Sequence, residues 1–113
     1  MLSHEKLHVY QRSIAFLALA VNLMDKLPRG HGEISDQLRR AAMSIPLNIA
    51  EASGRTGSRD NAKFFSIARG SALECGAILD VCRVLKVIEN EVFTDGKDHI
   101  RQIVAMLTRL CLK

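Results

Sequence analysis

At 113 residues, 48% of them hydrophobic, the chain has the length of one ordinary domain, residues 1–113, and enough apolar content for a sizeable core. Two prolines, seven glycines and few aromatic residues, set against abundant Leu, Ile, Ala, Arg and Lys, disfavour the aromatic, β-branched texture of sheets and predict an all-α fold. The net charge is +4, and the longest uncharged apolar run, the twelve residues from Ser13 to Met24, is too short to cross a bilayer. The N-terminal "MLSHEKLHVYQR" is polar where a signal peptide would be apolar, so a cytoplasmic protein with no membrane partner is expected.

In chain order, Leu7, Tyr10, Ile14, Leu17, Val21 and Met24 recur at steps of three and four and form one stripe of a first helix. A second apolar set, Phe16, Leu19, Leu23 and Leu27, lies on a different side of it. That is more apolar circumference than one bundle interior needs, so an outer face is expected to meet another subunit. "LPRGHGEIS" stops the helix at Pro28, Gly30 and Gly32, and Ser35 or Asp36 caps the next, which starts near Asp36. Its stripe is Leu38, Ala41 or Ala42, Ile45, Ile49 and Ala52, and it ends in "SGRTGS". Ser58 is the expected cap of a long third helix, with Asp60 in its first turn and a stripe of Phe64, Ala68, Ser71, Cys75, Ile78, Cys82 and Leu85. The small residues Gly70, Ser71, Ala72, Gly76 and Ala77 suit close approach by a neighbouring helix. After "IENEVFTDG", with Thr94 or Asp95 as cap, Ile100, Ile103, Leu107 and Leu110 carry a fourth helix. Four amphipathic helices on short loops predict an antiparallel up-down-up-down bundle.

Cys75 and Cys82, on one helix, lie roughly 10 Å apart by helical rise, beyond disulfide reach, and with Cys111 the count is odd. They read as small core residues; without CxxC spacing or paired histidines, no metal and no cofactor is expected.

The stretch "SIPLNIAEASGRTGS" places Pro46, Asn48 and Glu51 in a helical stripe. Pro46 has no amide hydrogen and its ring crowds the carbonyl of Ala42, so it should kink the helix and free that carbonyl. Ser44 and Asn48 flank the site and are positioned to bond freed backbone groups, while Glu51 needs a donor if it turns inward.

The same residues carry a resemblance. "QLRRAAMSIPLNIAEASGR", Gln37 to Arg55, followed by "FFSIARGSALE", Phe64 to Glu74, resembles the 23S rRNA intervening-sequence proteins, also called S23 ribosomal proteins. The family pattern reads Q-L-R-R-A-A-x-S-I-P-x-N-I-A-E-G-x-G-R, a polar spacer with an aromatic residue, then I-A-x-G-S-x-x-E. Gln37, Leu38, Arg39, Arg40, Ser44, Pro46, Asn48, Glu51, Arg55, Gly70, Ser71 and Glu74 occupy the matching positions. Ala52 stands where the family usually has glycine, and Asn61 where it usually has an acid. The resemblance implies a four-helix subunit in a homopentameric ring, associated with nucleic acid. By analogy with the bundle accessory proteins of diversity-generating retroelements, it also implies a nucleic-acid-processing enzyme as a further partner.

Charge supplies a separate argument. Between Arg39 and Arg69 stand six basic residues, Arg39, Arg40, Arg55, Arg59, Lys63 and Arg69, and two acidic ones, Glu51 and Asp60; the rest of the chain has ten of each. All of the net charge therefore lies around the second loop. Arg59 and Lys63 share a helical face, Arg55 leads into it, and the first amides of the third helix are free to meet an anion. The spacing is not that of a P-loop. On one subunit these residues equally describe a solvated basic face; repeated around a ring they become a multivalent surface for RNA or DNA phosphates. With one tyrosine and no tryptophan, base stacking should be minor.

Catalysis finds little support. Glu5-x-x-His8 is half of a di-iron bundle signature, with no second copy, and His31 and His99 read as surface residues. The expected function is a non-catalytic oligomeric bundle that binds nucleic acid, the alternative being a protein-interaction scaffold.

Overall fold

The apolar periodicity resolves into helices in a computed structural model, which describes residues 2–112. A 3-10 turn, Ser3–Lys6, precedes α1 His8–Lys26, α2 Gly32–Ser53, α3 Ser58–Val84 and α4 Asn90–Cys111. There is no strand among the described residues. Met1 and Lys113, the ends of the expected domain, lie outside them. None of the helices is long and apolar enough to cross a membrane.

Each helix packs on its sequence neighbours, and α4 returns to α1, so the four form a square whose diagonal helices make no close backbone approach. Neighbours run antiparallel: Ser44 meets Ser71 while Arg55 lies over Phe64, and Arg69, Gly76 and Asp80 of α3 meet Thr108, Ile100 and Lys97 of α4. The bundle measures 44 × 22 × 20 Å.

The core stripe of α2 is as the periodicity predicts, with Leu38, Ala41, Ala42, Ile45, Ile49 and Ala52 all buried. Pro46 is buried too, and α2 runs on through it. Along α3, Ala68, Cys75, Ile78 and Cys82 are buried, but Phe65 and Leu79 take the places expected of Phe64 and Leu85. Burial pushes the Cys75 thiol up to about 12, with the neighbouring Glu74 charge adding to the effect.

Four expectations need correction. The α1 core stripe is Val9, Ser13, Phe16, Ala20 and Leu23, whereas Ile14 and Val21 of the heptad set face outward. With two apolar stripes on one helix, periodicity alone does not say which is inside. Ser13 sits in that stripe without penalty because its hydroxyl donates to the Tyr10 carbonyl at 2.7 Å. Second, α2 starts at Gly32, ahead of Asp36: a glycine costs little in a first turn, Glu33 favours the helix dipole there, and Ile34 packs on the core. Third, Ser58 is the first helical residue, and Gly57 holds the cap position. Fourth, α4 starts at Asn90, with Glu89 as its cap position, so "FTDG" lies inside the helix. Gly96, which reads as a turn residue, is buried there. A Cβ on it would come within 2.9 Å of Leu79 Cδ1, so any larger residue here would require the buried Leu79 side chain to shift.

Candidate nucleic-acid interface

The motif residues line the seam between α2 and α3. Arg40, Ser44, Asn48, Glu51 and Arg55 succeed one another at steps of four and three along α2, and Ser71 and Glu74 answer them from α3. In the middle of the seam the Asn48 amide donates to the Ser44 carbonyl at 2.8 Å and to its Oγ at 2.9 Å, and Ser71 Oγ donates to Ser44 Oγ at 2.8 Å. Asn48 thus serves the Ser44 carbonyl, one turn below it, and not the Ala42 carbonyl that Pro46 frees. Ser44 is the hinge of a small polar network that ties two helices together across half-buried surface.

The loop end is built differently. Glu51 stays exposed and its carboxylate accepts from Arg55, whose guanidinium also lies over the Phe64 ring, 4.9 Å from its centre. Lys63 approaches the same ring at 5.8 Å. Both distances fall within cation–π range. Asn61 braces the turn: with its amide nitrogen facing inward, its two hydrogens lie among three carbonyls, those of Arg55 at 2.9 Å and of Ala52 and Gly57 at 3.0 Å. An acidic residue, usual at this position, has no proton to offer them. The first turn of α3 carries no side-chain cap, Asp60 is its one acid, and everything from Gly54 to Asp60 is exposed. Arg59 and Lys63, four apart, fall on one outward line that Gly70 and Ala77 continue at steps of seven. Gly70 is exposed, and nothing lies within 4 Å of where its Cβ would be, so the close-packing reading fits Gly76 and fails for Gly70.

The six basic residues do not form one patch. Arg55, Arg59 and Lys63 gather at the loop. Arg69 turns the other way and donates to Thr108 Oγ1 of α4 at 2.7 Å. Arg39 faces α1 and pairs with Asp36 at 3.6 Å, and Arg40 is exposed beside the seam, more than three helical turns from the loop. The helical faces explain the split: Arg39 and Arg40 are 100° apart, and Arg69 points to the opposite flank of α3 from Ser71. The Arg55–Phe64 stack was missed by sequence reasoning, although the i,i+4 spacing of Glu51 and Arg55 signals their pairing.

Of the other titratable groups, the Glu5 carboxylate accepts the Leu2 amide at 3.1 Å, and His99 Nδ1 lies 3.4 Å from Arg12 across α1 and α4. No cluster of three or more His, Cys, Asp or Glu side chains with metal-binding geometry occurs among the described residues.

Compared with known proteins, residues 5–109 match the family described as 23S rRNA-intervening sequence protein. Among solved structures, the chain is similar to a protein of unknown function from the S23 ribosomal protein family of Bacteroides thetaiotaomicron VPI-5482. The two share 25% identity over 93% of this chain and 99% of that one, with a TM-score of 0.84. No curated protein matches the sequence.

Proposed function

The chain belongs to the 23S rRNA-intervening sequence protein family, and from that membership we propose that it acts as a non-catalytic, oligomeric helical bundle holding a nucleic-acid backbone at the α2–α3 loop. The observation that carries this reading is the uncapped first turn of α3, with Arg59 and Lys63 on its outward line and Arg55 held over Phe64 beside it. Unpaired helix-start amides and fixed cations together suit a phosphate group. Arg39, Arg40 and Arg69 stand apart from this group and are secondary contacts at most. In a ring, five-membered by the family resemblance, the loop is repeated once per subunit, and weak contacts add through effective concentration.

The test is a binding assay with RNA, single-stranded DNA and duplex DNA across a salt series. Phosphate contacts carry little base information, so unrelated sequences should bind alike. Replacing Arg55, Arg59 and Lys63 together by glutamine should weaken all of them. The slope of log K against log[salt] should also fall, by about 0.7 per lost contact for single strands or 0.9 for duplex. A triple variant that keeps its helicity, its size and its slope removes the loop from the interface. Absence of binding by the unaltered protein leaves the interaction scaffold.

A further inference from the structure

The fold sorts charge in a way the order of the sequence does not. Because α1 runs against α2, and α4 against α3, the start of α1 and the end of α4 lie at the same end of the bundle as the α2–α3 loop. Arg12 and Arg109, from parts of the chain that carry no net charge, thereby join Arg55, Arg59 and Lys63 in one half of the molecule. Among the described residues the acids of that half are Glu5, Glu51 and Asp60, and the first two already accept from the Leu2 amide and from Arg55. Neither Arg12 nor Arg109 has a carboxylate within ion-pair distance among the described residues, whereas Arg39 and Lys97, toward the other end, pair with Asp36 and Asp80. Between the two arginines the α1–α4 seam is hollow on its outer side. One hollow, of about 270 Å³, is walled by Leu7, Val9, Met106 and Leu110, with Arg109 also in its lining. A second, of about 410 Å³, is lined by Gln11, Arg12 and Gln102, and His8 and Met106 belong to both, so the two form one groove. Arg12 donates there to a ring nitrogen, His99 Nδ1, at 3.4 Å. From His99 to Arg109 α4 rises roughly 15 Å, the span of a short run of nucleotides. The groove is cationic toward both ends and apolar between them.

We propose that this groove takes a single strand of nucleic acid, with one base in the apolar hollow and phosphates on Arg12 and Arg109. The proposal rests on the nucleic-acid reading above and adds the form of strand the protein selects. The walls of the hollow are aliphatic, and Met106 is unbranched and adapts to what it meets, so a base is held by contact with little choice of its identity. No aromatic stack is needed. In a duplex the bases are paired and stacked, and one reaches the hollow only by leaving the stack. Phosphate contacts alone would instead favour the duplex, whose charge is denser. A preference for single strands is therefore the mark of the groove and not of the α2–α3 loop.

Two groove variants test this with a short oligothymidylate, an oligouridylate of the same length and the duplex each forms with oligoadenylate. The unaltered protein should bind the single strands about tenfold more tightly than the duplexes. Met106→Gln with Leu110→Gln, which makes the hollow polar without changing its charge, should abolish that preference and leave duplex affinity as it was. Arg12→Gln with Arg109→Gln should lower the slope of log K against log[salt] for single strands by about 0.7 per lost contact, with the duplex slope unchanged. Duplexes bound as tightly as single strands, or groove variants that bind single strands like the unaltered protein, overturn the groove and leave the α2–α3 loop in place. An unaltered protein that binds none of the four probes overturns both. Circular dichroism checks folding, and the arginine pair, which lies outside the core, carries the test if the glutamines at Met106 and Leu110 cost helix.

Discussion

The middle and the loop end of the α2–α3 seam are made from similar polar residues and use them in opposite ways. In the middle, Asn48, Ser44 and Ser71 bond to one another or to backbone, and the network faces inward. At the loop end, Asn61 satisfies the carbonyls of the turn, which leaves amides and cations facing out. A residue pattern shared with a family therefore mixes two jobs, and only the direction of each donor separates them. Where donors end on the chain's own acceptors, the role is to hold helices. Where acceptors are covered and donors remain, the surface is ready for an anion.

Substitutions can break that contrast, and the largest effect is expected in the middle. Asn48→Leu removes the bonds that the Ser44 carbonyl and hydroxyl accept from the amide, leaving the hydroxyl its Ser71 donor, and should cost about 1–3 kcal/mol in chemical denaturation, with nucleic-acid affinity unchanged while the protein is folded. Affinity lost at full stability would move Asn48 to the outward-facing class. Asn61→Ala comes next. It removes the amide that reaches the Arg55 carbonyl, whereas the Ala52 and Gly57 carbonyls keep backbone donors, and should cost about 1 kcal/mol, and a looser turn should weaken binding as well. A melting curve identical to that of the unaltered protein would show that water replaces the amide.

Gly70→Ala should act with the opposite sign. The glycine is exposed within α3 and has open space above it, so alanine should stabilise the isolated subunit by roughly 0.5–1 kcal/mol. A loss of stability would mean that another surface packs on the outer line of α3. Glu51→Gln is the smallest in stability, within about 0.5 kcal/mol, because the pair it breaks is exposed. Its effect should appear in binding, where removing one negative charge and releasing Arg55 tighten the phosphate contact at low salt. Weaker binding would show that Glu51 is needed to aim Arg55.

The sequence made some of this legible and hid the rest for physical reasons. Helix α2 was readable because its longest apolar stripe, Leu38 to Ala52, is its core stripe. Helix α1 was not, since two stripes compete and the outcome depends on where α2 and α4 pack. The start of α4 was hidden because Thr94, Asp95 and Gly96 have the composition of a turn, and the need for Gly96 exists only once Leu79 is opposite it. At the site, the Arg59 and Lys63 spacing placed both on one face. Arg69 could not be separated from them, because its partner Thr108 is 39 residues away. Asn61, one uncharged residue in the polar first turn of α3, gave no signal of the turn carbonyls it reaches.

The square closes through one pairing that is not between sequence neighbours, α4 against α1. Three of the four helix contacts are hairpins that form over short loops, whereas this one has to bring the two ends of the chain together, which is the costliest loop closure in the molecule. The α1–α4 seam should therefore form last in refolding and open first in the native state, and α1 should exchange its amide hydrogens sooner than the middle of α2 or α3. Uniform protection across all four helices would show instead that the bundle opens only as a whole. If the seam does open first, the segment released is α1, and with it the exposed apolar residues Ile14 and Val21.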